Sequence, residues 1–261
     1  MIKAPARIGA MLVALPLVLL LIVPLITLVL AAPAALLEAM LGETAVAQAI
    51  GLSLGTSLAT TMVVVVGGFP LALLLARRSF RGKRILLTLL DLPTVLPPSV
   101  AGLALLLTFG RRGLLGSTLD TWGIQIAFTP WAVMLAQIFV ASPYFIKNAM
   151  VGLAAVPHEL AEAAALDGAS AWQTIRAIFI PLAWRGLVAG AALTWARALG
   201  EFGATLLFAG NQPGRTQTMP IAVYLGFEVR ISQAIALAVI MLGIALLVLG
   251  YVNWLGAEED Q

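Results

Sequence analysis

The chain has 261 residues, of which 61% are hydrophobic and only 10% charged. Soluble domains carry about 25% charged residues, so this balance excludes a sizeable soluble domain and indicates a multi-span membrane protein. Cysteine is absent and His158 is the sole histidine, which excludes disulfides, thiol catalysis and a Cys- or His-built metal site, and the net charge of +3 assembles no basic face for nucleic acid.

An apolar run of about 20 residues crosses a bilayer as a helix. Runs at about 8–31, 50–76, 85–109, 127–150, 183–207 and 234–254 predict six spans within one membrane domain covering 1–261. The first follows Lys3 and Arg7. It exceeds the roughly 7–15-residue apolar region of a signal peptide, so it reads as an uncleaved span. The Ala31–Ala35 stretch leaves cleavage as an alternative. In the second span Gly51 and Gly55 form a GxxxG pair, and Ser53 and Ser57 a small-xxx-small pair. Such spacing permits close helix approach in lipid.

The third run contains DLPTVLPPS, with Asp91, Pro93, Pro97 and Pro98. Proline breaks the helical ladder, so this span must kink or lie partly in the interface near its start. A span beginning only at Pro97 is too short to cross, which favours a kink. Beyond its far end stand Arg111 and Arg112. An Arg pair there can attract a tetrahedral dianion or an acidic protein surface. It can equally snorkel to lipid headgroups.

Between the fourth and fifth runs lies a polar-faced segment, 157–181, whose place is outside the bilayer. Pro157 suits a helix start, because its missing N–H is one of the first turn's unpaired donors. Glu159 and Glu162 then sit near the positive helix end. Ala161 and Ala163–Ala165 propagate helix and leave a slim surface that another protein can approach. Asp167-Gly168 reads as a stop, with glycine supplying the left-handed residue. A second amphipathic turn follows, and Pro181 is expected to end it. The fifth run then carries Gly186 and Gly190, another GxxxG pair, and two charges near its middle, Arg197 and Glu201. Four residues apart, these share a helix face and can pair. Each alone at mid-bilayer costs roughly 2.5–3.5 kcal/mol or more, so the pair faces protein or a water-filled path. It is either a gate element or a structural ion pair.

The charge rule fixes orientation. With the N-terminus inside, Lys3, Arg7, Arg77, Arg78, Arg81, Lys83, Arg84, Lys147, Arg176 and Arg185 fall inside, while Arg111, Arg112, Arg215 and Arg230 fall outside. Ten against four places both termini and the 157–181 segment in the cytoplasm.

The run EAAALDG (Glu162–Gly168) with Ile180-Pro181 resembles the EAA loop of ABC importer permeases. ARALGEFGAT (Ala196–Thr205) looks like the ARSLGEFGAT-type signature of molybdate and tungstate permeases, with Ala198 where serine is usual. GRRG (Gly110–Gly113) followed by Gly116 is similar to that family's GRRGxxG. LPTVLPP (Leu92–Pro98) resembles its LPLVLPP, and TQTMP (Thr216–Pro220) with Tyr224 its TRTxPxAxY.

The resemblance implies an all-α type I ABC importer permease for molybdate or tungstate in the cell inner membrane. It implies ATPase coupling through Glu162, Ala163, Ala164, Asp167 and Gly168. Arg197 and Glu201 would be a pathway gate or structural pair, and Arg111 and Arg112 an outer contact for the anion or its binding protein. The implied partners are a second copy of this chain, two ATPase subunits, an extracytoplasmic oxyanion-binding protein and membrane lipid, with no nucleic acid. No cofactor is expected here; ATP and magnesium belong to the ATPase. The chain has no GxxxxGK[ST] phosphate loop, so it is not expected to be an enzyme. The rival readings are a sulfate or thiosulfate permease, an ion-coupled secondary transporter, for which no convincing internal repeat is visible, and a membrane enzyme, for which no catalytic cluster appears. Residues 1–49 carry no implied role.

Overall fold

The structure, a computed structural model, describes residues 4–40 and 44–257. Lys3, counted above among the inside charges, lies outside the described residues. The chain is helical because hydrocarbon offers its backbone no water to bond, and an α-helix satisfies every N–H and C=O within its own segment. The helices are α1 (Ala4–Met40), α2 (Thr44–Arg77), α3 (Lys83–Val95), α4 (Pro98–Phe109), α5 (Gly116–Thr121), α6 (Pro130–Ala155), α7 (His158–Leu166), α8 (Ala171–Thr174), a π-turn (Ile175–Phe179), α9 (Ile180–Leu199), α10 (Gly203–Ala209), α11 (Met219–Val229) and α12 (Ile231–Ala257). Five apolar stretches are long enough to cross a bilayer, namely Leu12–Pro33, Thr44–Arg77, Pro130–Ala155, Ala171–Leu199 and Ile231–Trp254, and the bent α3–α4 pair would make a sixth.

The packed centre is α2, α6 and α9. Leu75, Phe145, Ile146, Leu153 and Phe179 are buried together near one end of the bundle. At the opposite end α4 and α10 lie on the first half of α6, through Ala101, Leu105, Ala132, Val133, Ala136 and Phe208. A third cluster of Ala49, Leu199, Met219 and Leu237 ties α2 and α9 to α11 and α12. The α6–α9 seam is tight because Gly186 meets Gly152: a Cβ on Gly186 would stand 3.1 Å from the Gly152 Cα. Gly190 packs likewise on Asn148 and Phe145, as its GxxxG spacing predicts. Gly51 and Gly55 do not follow that expectation; nothing lies within 4 Å of a Cβ at either. The first span packs on α12, and between Leu12 and Pro33 its side chains are almost all exposed, as befits a lipid-facing helix.

The sequence and the structure part at three places. The kink expected in the third run is a full elbow of 113° between α3 and α4. Its cause is local: Pro97 and Pro98 push the residues before them out of the helical region, leaving Leu96 at ψ 136° and Pro97 at ψ 134°. Pro181 does not end a helix. Ala171–Leu199 runs through it, because the π-turn just before it makes an i→i−5 bond from Ile180 N–H to the Ile175 carbonyl. The wider turn accommodates a residue that lacks an N–H and crowds the preceding turn. Lastly, the fifth helix stops at Leu199 rather than near 207, and α10 and α11 follow, neither of which the apolar pattern resolved.

Candidate functional site

The residues singled out from the sequence fall in three places. One is the end of the bundle where α2 and α6 finish. Arg77 Nη2 donates to the Val156 carbonyl at 2.7 Å, and its guanidinium carbon lies 4.5 Å from the centre of the Phe179 ring. This clamp joins the ends of α2 and α6 to the start of the 171–199 helix. α7 projects beyond it and contributes no buried residue. Ala161 packs partly on the core, while Glu162, Ala163, Leu166, Asp167 and Gly168 are exposed and Ala164 half-buried.

The end of α7 is built as the sequence predicts. Gly168 has φ 81°, its N–H donates to the Ala165 carbonyl at 3.1 Å, and the Ala169 N–H donates to the Ala164 carbonyl at 2.9 Å. These two bonds are the paired closure of a Schellman turn. Two residues on, Ser170 caps α8: its Oγ accepts from the Gln173 N–H at 3.3 Å and Gln173 Oε1 accepts from the Ser170 N–H at 2.7 Å. That capping box was legible as S-x-x-Q but was missed. Together these bonds close the elbow between α7 and the 171–199 helix at both of its ends. Behind α7 lies an apolar cavity of about 620 Å³ whose lining includes Leu73, Arg77, Ala161, Ala165 and Phe179.

The second place is the break after α9. Arg197 Nη2 stands 2.8 Å from Glu201 Oε2, with the carboxylate 1% exposed and the guanidinium 28%. The structure thus brings the two charges together, but at the end of the fifth helix rather than near its middle. Glu201 Oε1 also accepts the Ala204 N–H at 2.9 Å, so the same carboxylate caps α10. Thr205 and Thr218, on either side of the loop from α10 to α11, are buried with hydroxyls that lack a partner among the described residues.

The third place is the opposite end of the bundle. Arg111 and Arg112 are exposed, but Arg111 Nε lies 3.2 Å from Asp120 Oδ2, which offsets part of its charge. The glycines of GRRGxxG have a backbone reason: a Cβ on Gly116 would overlap the Gly110 carbonyl oxygen. The motif therefore folds a tight loop that carries the two arginines outward.

Two polar features go further than the sequence reading, which took Ser53 and Ser57 only as a small-xxx-small pair. Ser53, Thr56, Ser57 and Thr60 line one face of α2 and are buried. Ser53 Oγ accepts the Met219 N–H at 2.7 Å, Ser57 Oγ accepts the Trp195 indole N–H at 2.9 Å, and Thr60 donates to Gln137 Oε1 at 3.0 Å. These bonds are spent between helices of one chain, as interhelical glue. The other feature is an ion pair, Lys147 Nζ to Asp91 Oδ1 at 2.7 Å, linking α3 to α6. Its signal was two opposite charges in apolar runs, each costly without the other.

Residues 68–257 match the family of binding-protein-dependent transport system inner membrane components. The chain is 43% identical over 169 residues to a molybdenum transport system permease of Bacillus subtilis (strain 168), covering 64% of this chain and 74% of that protein. It is 38% identical over 167 residues to a sulfate transport system permease of Chlorella vulgaris, covering 64% of this chain and 63% of that one. Among solved structures, a chain of a bacterial alginate ABC transporter, in complex with an alginate pentasaccharide-bound periplasmic protein, shares the fold, with a TM-score of 0.75 at 20% identity over 98% of this chain and 95% of that chain.

Proposed function

The chain belongs to the binding-protein-dependent transport system inner membrane components, and on that premise we propose that it is the permease subunit of an ATP-driven importer of molybdate and tungstate. It is an integral membrane protein and an ABC importer permease. The observation that carries the substrate is the 43% identity to a molybdenum permease. A sulfate permease is the second reading, supported by the 38% identity to the Chlorella protein, which covers a smaller share of that relative.

In the proposed complex two copies of this chain enclose the pathway, two ATPase subunits sit beneath, and an oxyanion-binding protein docks above. ATP and magnesium act on the ATPase, and this chain carries no hydrolytic step. Glu162, Ala163, Ala164, Asp167 and Gly168 form the surface that the ATPase receives. What supports this is that α7 is exposed yet rigidly closed by its glycine turn and by the capped α8. Closure of the ATPase pair would move α7, and the 171–199 helix would carry that motion to the Arg197–Glu201 break, a rigid-body switch between inward- and outward-facing states. Both termini would lie in the cytoplasm, which sets Arg111 and Arg112 on the outer face for docking or entry.

The experiment is uptake in cells lacking their own molybdate permease. With its ATPase and binding protein, this chain should restore molybdoenzyme activity at low external molybdate. Restored sulfate growth in a sulfate-permease mutant, with no gain of molybdoenzyme activity, would select the second reading.

A further inference from the structure

The turn between α2 and α3 concentrates positive charge where a span ends. Arg78, Arg81, Lys83 and Arg84 follow directly on Arg77. Arg77 is already engaged with Val156 and Phe179, and Lys83 Nζ donates to the Arg78 carbonyl at 3.2 Å, which closes the turn. None of the ion pairs among the described residues involves Arg78, Arg81 or Arg84, and all three are exposed. Lys83 and Arg84 also occupy the first turn of α3, which has no acidic residue, so the helix dipole adds to their positive field.

α3 itself has two apolar faces. Leu86, Leu87 and Leu90 pack on the core. Ile85, Leu89 and Leu92, spaced as one helix face, are exposed by 68%, 55% and 43%. Where the basic turn meets this stripe there is a cavity of about 610 Å³, lined by Ser79, Phe80, Lys83, Arg84, Ile85 and Leu87. One side of it is cationic and the other is hydrocarbon.

We propose that this elbow binds an anionic phospholipid, its phosphate held by Arg81, Lys83 and Arg84 and an acyl chain lying along Ile85 and Leu89. Depth and chemistry select that occupant. α2 is an apolar helix of span length that ends at Arg77, so its membrane placement would set the turn at headgroup level, and clusters of cations just beyond a span attract anionic lipid. A soluble acidic protein would answer the cations and leave the apolar stripe uncovered. A zwitterionic lipid would cover the stripe and leave the charge unanswered. Because Asp91 of α3 is paired with Lys147, and α3 leads into the Pro97 elbow, a bound headgroup steadies the arm from which α4 turns. The site rests on the membrane placement of the chain and not on which anion is transported.

The test is lipid retention by the purified full-length chain, titrated in detergent with phosphatidylglycerol or phosphatidylcholine and weighed by native mass spectrometry. Phosphatidylglycerol should be retained in preference. Arg81→Gln with Arg84→Gln should weaken its binding by about fivefold per cation removed. Arg81→Lys with Arg84→Lys should retain it, and so should Arg111→Gln with Arg112→Gln at the other end. Arg81→Gln alone, in an exposed turn, gives the same test should the double variant fold poorly. Equal retention of the two lipids, displacement by free inorganic phosphate, or a preference untouched by Arg81→Gln would overturn the proposal. A preference seen only with the ATPase bound would also overturn it, and would assign these cations to a protein.

Discussion

Arg197 and Glu201 meet at 2.8 Å across the end of α9, and the far oxygen of the same carboxylate holds the Ala204 N–H at the start of α10. One buried carboxylate therefore both neutralises a cation and ties two helices at a break. The two residues should not be interchangeable. Arg197→Gln strands a carboxylate that is 1% exposed. Breaking a buried pair costs about 3–5 kcal/mol, and partial solvation of this guanidinium brings the expected loss toward about 2–3 kcal/mol. Glu201→Gln keeps the carbonyl that caps α10 and leaves the cation, the better hydrated partner, so it should be milder. The double change should be less harmful than the sum of the singles. A double-mutant cycle on thermal stability and transport measures the coupling, and simple additivity would mean that the pair is not an energetic unit.

Gly168 is the second test. Its φ of 81° is in the left-handed region, and nothing lies within 4 Å of a Cβ there, so a substitution is opposed by backbone strain and not by a clash. Gly168→Val should cost about 1–2 kcal/mol locally and loosen the turn. Gly168→Asn, which tolerates that region better, should do less harm. Membrane insertion should persist in both, while ATPase association and transport fall in the valine variant. Wild-type coupling in Gly168→Val would sever α7 geometry from the mechanism.

Topology is open to a clean test because the chain contains no cysteine. Ser79 and Ser117 are both exposed, in the turn after α2 and at the start of α5. A cysteine at Ser117 should react with an impermeant maleimide in sealed cells. One at Ser79 should react only after permeabilisation. The reverse pattern would invert the proposed orientation and put α7 outside the cell.

Arg111 and Arg112 bear on where specificity resides. Molybdate, tungstate and sulfate are all tetrahedral dianions, and discrimination among them needs a close hydrogen-bonded site. The buried polar side chains on α2 and α6 are bonded to one another or to α9 and α11, and Arg111 is partly neutralised by Asp120. Changing both arginines to Gln should lower molybdate and sulfate uptake together, with their ratio unchanged. A selective gain of sulfate transport would show that the permease itself reads the anion.

The long apolar helices and α7 were legible because each rests on local chemistry. Leucine-rich runs of span length have one outcome in lipid, and Asp167-Gly168 carries its own stop. The Arg197–Glu201 contact was legible because it needs only a four-residue spacing. Its position was not, because α9 ends where Glu201 finds the Ala204 N–H, a bond formed across a break that hydropathy does not register. Pro181 misled for the same kind of reason: its effect depends on the π-turn before it. Of the α2 ladder only the Ser53–Ser57 spacing was legible, because its bonding partners, Gln137, Trp195 and Met219, are distant in sequence. Gly51 and Gly55 share the spacing of Gly186 and Gly190, and only packing distinguishes them.

The central claim is ATP-driven oxyanion import through this chain. Proteoliposomes containing it with its ATPase, supplied with binding protein outside and ATP inside, measure that directly. The account predicts molybdate accumulation that requires ATP, the binding protein and this chain, and that far exceeds sulfate accumulation under the same conditions. Uptake that runs on an ion gradient without ATP, or that carries sulfate and leaves molybdate outside, would contradict it.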